Sequence, residues 1–393
     1  MSRFFLMALS IFGGTHFYLW LRLVQDTGLS GGGYVALSVL TLLLFALIPL
    51  TFMFGRRVSS RFGALVVWPG YIWLGTLFLL FVSVLGVDLL RALYELGEWA
   101  SGQVPLAAAE RLERARLGAA AAAISAGVAL VFALWSGRRL VVKRVLVELS
   151  RLPAALHGTT IVQLTDVHIG PTLGKGFLDR VVDAANALEP DVVVITGDLV
   201  DGSVARLAEA VAPLARLQAR HGVFFVTGNH EYYSGAEAWC AHLTSLGLRV
   251  LRNERVAIGS DTDSYDLAGI DDLAGRHFGP GQGADLERAL SGRDESRELV
   301  LLAHQPRMVV EAEPAGVGLQ ISGHTHGGQI WPFHFLVRLQ QPVTSGLVRI
   351  GRALLYVSNG TGYWGPPMRL GSPAEITQLV LQAVGGAALP MTR

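Results

Sequence analysis

Four long apolar segments in the first third of the chain constrain its fold more than any other feature. They occupy residues 4–23, 34–54, 64–87 and 117–135. Each is close to the roughly 20 apolar residues that cross the hydrocarbon core of a bilayer. A soluble bundle of buried helices is the alternative, but its helices would carry polar positions at helical spacing, which these segments lack. The pattern therefore predicts four transmembrane helices.

The basic residues predict how these helices are oriented. Cytoplasmic loops carry an excess of lysine and arginine, and such residues follow the second and fourth segments. They are Arg56, Arg57, Arg61, Arg138, Arg139, Lys143 and Arg144. This distribution predicts a multi-pass protein of the cell (inner) membrane, with the N-terminus and everything after residue 135 in the cytoplasm. Residues 13–16 offer no good small-residue cleavage site, so a signal anchor is favoured over a cleaved signal peptide.

Charge and cysteine content exclude several classes of function. The chain has 32 basic and 31 acidic residues and a net charge of +1, so no overall field favours nucleic acid. The single cysteine, Cys240, excludes an internal disulfide framework and a cysteine-only zinc site. Only His16 is ionisable in the middle of an apolar segment, which favours helix packing over a transport path. The membrane region is therefore predicted to be an anchor in the lipid bilayer.

From about residue 141 the composition changes to that of a soluble α/β domain. Short apolar runs predict strands at 161–164, 192–195, 223–226, 299–303 and 319–322, with further strands at 256–258, 265–270, 354–357 and 376–381. Helical patterns alternate with the first three runs, at 177–188, 204–218 and 236–246. Such alternation predicts parallel strands with helices on the faces of the sheet. The predicted architecture is a four-helix transmembrane region at 1–139, an α/β domain of two packed mixed sheets at 140–385, and a tail at 386–393.

Polar side chains follow five of the predicted strands at the point where each strand ends. They are Asp166, His168, Asp198, Asn229, His230, His304, His324 and His326. Ligands of open α/β sheets bind beyond the carboxyl ends of the strands, so we expect these side chains to meet. Carboxylate, amide and imidazole groups suit Mn, Fe, Zn, Ni or Co. Taken singly, these residues have ordinary explanations: His304 could be a core residue, Asp198 a helix cap and Asn229 a turn residue. Taken together, they favour a metal site.

Five blocks in this order resemble the calcineurin-like metallophosphoesterase superfamily. The blocks are DxH at 166–168, GD at 197–198, GNHE at 228–231, the lone His304 and GHTH at 323–326. The chain is more specifically similar to a membrane-associated branch of this superfamily, which contains YkuE-like and YaeI-like phosphodiesterases and transmembrane metallophosphoesterase-domain proteins. The similarity lies in residues 152–153, 161–170, 323–329 and 359–366. Several exported members carry a twin-arginine signal that this chain lacks, in agreement with a cytoplasmic domain.

The resemblance implies a metallophosphoesterase fold with two divalent metal ions, such as Mn, Zn or Fe, as cofactors. It implies that Asp166, His168 and His326 hold one ion, that Asn229, His304 and His324 hold the other, and that Asp198 bridges both. His230 matches the catalytic histidine of the family, and Glu231 is a candidate to orient it. Gly228, Gly323 and Gly327 would let the backbone approach the metals closely.

The resemblance also implies a substrate class. We expect hydrolysis of a phosphodiester or pyrophosphate bond, with UDP-2,3-diacylglucosamine as the specific lipid-linked candidate. A broad-specificity phosphatase or nucleotide phosphodiesterase that is merely tethered is one alternative, and a non-catalytic metal-binding membrane scaffold is another. Two features have open interpretations. Residues 269–272 form an active-site rim or an exposed acidic turn. The aromatic residues that flank the metal blocks line a substrate site, belong to the core or lie at the membrane interface. These are Tyr232, Tyr233, Trp331, Phe333, Phe335, Tyr363 and Trp364.

Overall fold

The structure, a computed structural model, describes residues 3–55, 61–102 and 106–385. The predicted tail at 386–393 and two of the orienting basic residues, Arg56 and Arg57, lie outside the described residues. The chain divides into two compact units. One comprises Met1–Trp135 with Gly365–Met368, and the other comprises Ser136–Trp364 with Arg369–Arg393.

The first unit is helical, as its composition predicts. Its helices are α1 (Arg3–Trp20), α2 (Gly31–Gly55), α3 (Arg61–Ala100) and α4 (Ala108–Ser136). A π-helical turn, Leu21–Gln25, continues α1. His16 of α1 has its Nδ1 2.7 Å from the carbonyl oxygen of Phe12, and its Nε2 accepts a hydrogen bond of 3.0 Å from Trp73. Both ring nitrogens are therefore engaged inside the helical unit.

Three described helical segments, rather than the predicted four, are long and apolar enough to cross a membrane. They are Gly31–Met53, Leu65–Ala100 and Ala108–Ser136. The predicted span at 4–23 is not among them. Helix α1 has only 18 residues, and glycine, threonine and histidine at 13–16 reduce its apolar character. The prediction of four spans is thus corrected to three candidates in the described part of the chain.

Helix α3 is also longer than predicted. Its span was expected to end at residue 87, with a loop over 88–116, but the helix continues to Ala100. Leucine, alanine, glutamate and arginine in this extension are good helix formers, and an Arg91–Glu95 pair at 2.8 Å supports it. The candidate span consequently contains Asp88, which lies 2.8 Å from Arg22 and accepts a 2.5 Å hydrogen bond from Tyr18. Asp88 directly follows the predicted span at 64–87, so the expectation that only His16 is ionisable within the apolar segments stays a prediction.

The second unit contains two six-stranded sheets. In spatial order, the first sheet consists of β1 (Leu140–Leu149), β12 (Ala374–Ala383), β2 (Thr160–Leu164), β3 (Val192–Thr196), β4 (Val223–Val226) and β5 (Arg249–Val250). The second consists of β10 (Gly346–Ile350), β11 (Ala353–Val357), β9 (Leu319–Ser322), β8 (Leu299–Leu302), β7 (Ser264–Gly269) and β6 (Glu254–Gly259). The strands β2 to β5 are parallel to one another, as are β7, β8, β9 and β11.

Buried side chains on both faces hold these sheets in place. Ile161 and Val194 of the first sheet share one core cluster with Val300 and Ile321 of the second, so the two sheets pack face to face. The outer faces are covered by the short helices α5 (Lys175–Asn186), α6 (Val204–Val211), α8 (Ala236–Ser245), α9 (Leu286–Leu290) and α10 (Val309–Ala312). The two other short helices of this unit in the described residues are α7 (Asn229–Ser234) and α11 (His334–Val337). Burial on both faces explains why the central strands are almost uniformly apolar.

Candidate metal centre

The predicted ligands lie in loops that directly follow parallel strands of both sheets. β2, β3 and β4 end at Leu164, Thr196 and Val226, and each is followed by ligand candidates within two to four residues. β8 and β9 of the second sheet end at Leu302 and Ser322 and are followed in the same way. The side chains that result are grouped closely enough to hold metal ions.

The first group consists of Asp166, His168 and His326, whose ligand atoms lie within 4.8 Å of one another. Nε2 of His168 is 3.1 Å from Nε2 of His326, which is 3.4 Å from Oδ1 of Asp166. The backbone N–H of His324 donates to both oxygens of the Asp166 carboxylate at 3.0 Å, which fixes its orientation. These are the three residues that the resemblance assigns to one ion.

The second group consists of Asp198, His304 and His324. Nε2 of His304 lies 3.1 Å from Oδ2 of Asp198 and 3.2 Å from Nδ1 of His324. The other carboxylate oxygen of Asp198 accepts a 2.9 Å hydrogen bond from the backbone N–H of His230. Oδ2 of Asp198 is also 3.9 Å from Nε2 of His168, so this oxygen lies between the two groups.

Asn229 completes the set of predicted ligands. It begins α7, and its side-chain Oδ1 is buried without a hydrogen-bond partner. A buried carbonyl oxygen without a partner is costly, which makes this atom available to a cation. The donor set as a whole contains carboxylate, amide and imidazole groups, which fits divalent transition metals.

The charges of the site also suit cation binding. Burial and the neighbouring His304 lower the pKa of His324 to about 3, and burial and His168 hold the pKa of His326 well below its ordinary value. Both imidazoles are therefore neutral and have lone pairs to donate. Burial opposes the ionisation of Asp198, but His304 and His230 hold its pKa well below the ordinary range.

One ligand candidate would have to lose a proton when a cation binds. Burial lowers the pKa of His304, yet the carboxylate of Asp198 outweighs it and keeps this pKa well above its ordinary value. Since metal ligands bind deprotonated, ion binding at His304 releases a proton. Burial also raises the pKa of Asp166 and so opposes its ionisation.

Left-handed backbone is concentrated at these ligands. Eight non-glycine residues of the described chain have positive φ angles, and five of them are predicted ligands. The five are Asp166, His168, Asp198, His324 and His326. Such conformations cost about 1–3 kcal/mol each and persist where the surrounding structure enforces them. The fold therefore holds the ligand loops in an unfavourable backbone geometry that aims their side chains at one place.

Two of the three glycines singled out in the sequence lie against carboxylates of the ligand groups, and the third lies elsewhere. A Cβ atom at Gly228 would contact the Asp198 carboxylate, and one at Gly323 would contact Asp166 and Thr165. A Cβ atom at Gly327 would instead contact Asn359 and Ser372, which are not ligand candidates. Gly327 also has a φ of +59°, so it is needed for the turn after His326.

Asp201 is a site residue that sequence reasoning missed. Its Oδ1 lies 2.5 Å from Nδ1 of His230 and 3.2 Å from Nδ1 of His168. Burial lowers the pKa of His230, but Asp198 and Asp201 outweigh it and raise this pKa to about 9. The signal in the sequence was an aspartate three residues after Asp198, in the same loop.

Glu231 has a different role from the one considered. The candidate orientation of His230 by Glu231 is not observed, because the fully buried Glu231 carboxylate accepts from the backbone N–H groups of Gly228, Asp198 and Leu199 at 2.6–2.9 Å. Burial and the nearby Asp198 raise the pKa of Glu231 to about 7. Glu231 therefore joins the loops after β3 and β4 and supports Asp198 rather than His230.

Burial tests the open interpretations of 269–272 and of the aromatic residues. Asp271 and Asp272 are 3% and 2% exposed, so the solvent-exposed acidic turn at 269–272 is wrong. Asp271 pairs with Arg252 at 2.7 Å, and Asp272 accepts from Gln305. Among the aromatic residues, Tyr232 and Tyr363 are buried, whereas the others are at least 45% exposed. The exposed ones are Tyr233, Trp331, Phe333, Phe335 and Trp364.

A buried arginine supports the loops around the first group. Arg369 is fully buried and donates to the backbone oxygens of Gly362, His326 and Ser372. Burial lowers its pKa to about 10. The Ser372 hydroxyl also donates to the carbonyl of His326 at 2.5 Å. Arg369 and Ser372 together fix the backbone of the ligand His326.

Comparison with known proteins places this fold and site in one class. Residues 159–328 match the family model of the calcineurin-like phosphoesterases, and these residues include every predicted ligand. The chain therefore belongs to the calcineurin-like metallophosphoesterase family, and the resemblance seen in the sequence is confirmed. It is a metal-dependent hydrolase of phosphoesters with transmembrane-like helices at its N-terminus.

The similar proteins include a transmembrane protein and bacterial proteins described as uncharacterized metallophosphoesterases. The chain is 42% identical over 303 residues to a bovine (Bos taurus) transmembrane protein with metallophosphoesterase domain, covering 74% of this chain and 68% of that protein. It is 34% identical over 246 residues to a metallophosphoesterase of Aquifex aeolicus, covering 62% of this chain and 92% of that one. It is 31% identical over 246 residues to the metallophosphoesterase YkuE of Bacillus subtilis, covering 60% of this chain and 84% of that one.

Proposed function

We propose that the protein hydrolyses a phosphodiester or pyrophosphate bond of a lipid-linked substrate at a dinuclear metal centre. The observation that carries the centre is the pair of ligand groups on either side of Asp198 Oδ2. Asp166, His168 and His326 would hold one ion, and Asn229, His304 and His324 the other. Asp198 would bridge them. Mn, Zn and Fe all suit this donor set.

The protein contributes ligand positions and a proton. Two divalent ions held by these ligands would supply a water of lowered pKa and stabilisation of charge on the phosphoryl oxygens. His230 is next to ligand Asn229 and donates Nδ1–H to Asp201, which leaves Nε2 to face the reacting group. We assign to His230 the protonation of the leaving oxygen. Asp201 holds the imidazole ring in the required orientation.

A lipid-linked substrate is supported by the setting of the site. Tyr233 and Trp364 have ring centroids 5.4 Å and 5.8 Å from that of His230, and both are about half exposed. Aromatic rings at this position can receive a base, a sugar or an acyl chain. Candidate membrane spans in the same chain raise the local concentration of lipid substrates. UDP-2,3-diacylglucosamine combines these chemical groups and is the specific candidate.

We also propose that the protein resides in the cell (inner) membrane with its catalytic unit in the cytoplasm. This orientation follows from the basic residues after the second and fourth apolar segments. An alkaline phosphatase reporter fused after Gly385 should be inactive there, whereas a fluorescent protein at the same point should fold and emit. An active alkaline phosphatase together with a fluorescent protein that does not emit would show that the catalytic unit lies on the other side of the membrane.

Purified full-length protein, assayed in lipid nanodiscs against lipid-linked and soluble phosphoesters, tests the proposed activity. Each assay contains a defined concentration of Mn, Zn, Fe or Mg. Asp198→Asn is the inactive control. We expect its turnover to fall at least about 100-fold, because the substitution weakens the bridging ligand. We expect the lipid-linked pyrophosphate to give the highest kcat/KM. Equal rates on soluble esters would favour the broad-specificity enzyme, and metal binding without turnover on any ester would favour the scaffold.

A further inference from the structure

We propose that an exposed apolar loop beside the metal centre docks the catalytic unit onto the surface of a lipid bilayer. The side chains that form this surface are Trp331, Phe335, Leu336 and Leu339, which we name the apolar collar. Their exposed fractions are 54%, 57%, 55% and 81%. Large apolar side chains grouped in this way mark a surface that contacts another apolar phase or molecule.

The loop that carries the collar is held in a defined shape. The Thr325 hydroxyl donates to the carbonyl of Thr344 at 2.6 Å, which joins the two ends of the loop. Buried Gln341 accepts from the backbone N–H of Arg307 at 3.0 Å, and the N–H of Trp331 donates to Leu370 at 2.9 Å. The collar side chains are therefore exposed on a fixed frame that includes the short helix α11.

The same frame connects the collar to the reaction site. The loop leaves directly after the ligand His326. Gln329, three residues later, exchanges two hydrogen bonds of 3.0 Å with the backbone of Trp364. The ring of Trp364 lies 5.8 Å from that of His230. Whatever surface the collar contacts will therefore lie next to the metal centre.

The charges around the collar favour a bilayer with anionic lipids. From residue 329 to residue 350 the chain contains two basic residues, Arg338 and Arg349, and no acidic residue. Tryptophan, phenylalanine and leucine beside arginine are typical of segments that lie in the membrane interface. Anionic headgroups attract such basic side chains.

A short linker ties the catalytic unit to a candidate membrane span. Helix α4, the candidate span, ends at Ser136 and β1 begins at Leu140, so three residues link them. A linker of this length extends over at most about 14 Å. The four exposed side chains offer roughly 400 Å² in total, about half of what each partner contributes to a stable protein interface. The collar is thus small for a dimer contact and well suited to shallow insertion into lipid.

Site-specific fluorescence on the full chain tests this proposal. Cys240, the single cysteine, is first replaced in a Cys240→Ser background. Leu339→Cys then carries an environment-sensitive fluorophore, and Phe335→Cys provides a second label if the first variant does not fold. Ser260→Cys is the matched control, because Ser260 is exposed in the turn between β6 and β7. This turn lies at the end of the second sheet opposite to the carboxyl end of β9, from which the collar loop leaves. The proteins are placed in vesicles of phosphatidylethanolamine and phosphatidylglycerol.

We expect lipids with brominated acyl chains to quench the label at 339 at least threefold more than the label at 260. Iodide in the water should quench the label at 260 more strongly. Equal iodide quenching at both positions would overturn the proposal, and so would a label at 339 that is shielded from both quenchers, which would indicate a protein partner. These readouts need no turnover, so they stand or fall separately from the proposed lipid-linked substrate.

Discussion

Oδ1 of Asp201 lies 2.5 Å from Nδ1 of His230, and this contact determines which nitrogen of the imidazole remains for chemistry. The same oxygen is 3.2 Å from Nδ1 of His168, a predicted metal ligand. One carboxylate therefore orients both a ligand and the proposed proton donor. Two predictions follow from this arrangement, one for each partner of the contact.

Replacing Asp201 by asparagine should lower both activity and affinity for one ion. The variant keeps the shape of the side chain but removes the charge that orients the two rings, and outer-shell partners of this kind are worth about 10–100-fold. Metal content per chain and kcat/KM measure the two effects. The control is Asp183→Asn, whose side chain is 64% exposed in a surface ion pair. An Asp201→Asn enzyme with normal turnover and normal metal content would contradict the assignment.

Replacing His230 by alanine should separate binding from chemistry. The variant should keep both ions and its KM, and lose about 10²–10⁴-fold in turnover on alkyl and pyrophosphate esters, the usual worth of a positioned acid. On p-nitrophenyl esters the loss should be much smaller, because that leaving group needs little protonation. Kinetics on a series of leaving groups measure this. An equal loss on every ester would remove the role as acid, and loss of metal would make His230 a ligand.

Adding one methyl group at Gly323 should damage the metal centre. A Cβ atom there would contact the carboxylate of Asp166 and the hydroxyl of Thr165. Overpacking of this kind typically costs about 1–3 kcal/mol. We expect Gly323→Ala to lower the melting temperature and weaken metal binding, as measured by calorimetry. Gly174→Ala is the control, because nothing lies within 4 Å of the added atom. Similar stability for the two variants would show that the ligand loop can move aside.

The thiol of Cys240 should react very slowly in the folded protein. Burial raises its pKa to about 12, so that at pH 8 on the order of 10⁻⁴ of the thiol is ionised, against roughly 0.2 for an ordinary cysteine. Alkylation by iodoacetamide, followed by mass spectrometry, should be at least about 100-fold faster in denaturant. Because the folded state retains this proton at higher pH than the unfolded chain does, stability should fall as pH rises above the ordinary cysteine pKa. Fast labelling of the native protein would contradict this environment.

The central strands were predictable because their surroundings are simple. All five residues of β3 are buried, and a strand covered on both faces has to be apolar. β1 was missed since Lys143, Arg144 and Glu148 interrupt its pattern at the edge of the sheet. The partner of β1 is β12, more than 200 residues away in sequence, so no local signal reveals the pairing.

The metal ligands were predictable for a similar reason, whereas the residues that orient them, Asp201 and Glu231, were not. Each ligand follows a strand, and the carboxyl ends of parallel strands meet by geometry alone. Asp201 and Glu231 depend instead on how two loops fold back on one another. Both are acidic residues near a ligand, and only the loop conformation sends Asp201 to His230 and Glu231 to the backbone of Asp198. A sequence pattern does not contain that distinction.

The order of strands in the first sheet has a consequence for biosynthesis. β1 pairs with β12, and β12 in turn pairs with β2, so the last described strand separates the first two. Residues between β5 and β12 build the whole second sheet. While a ribosome is still translating residue 370, β1 has already been synthesised, but its pairing partner β12 has not. The nascent chain must therefore keep this edge from pairing with other chains until β12 emerges.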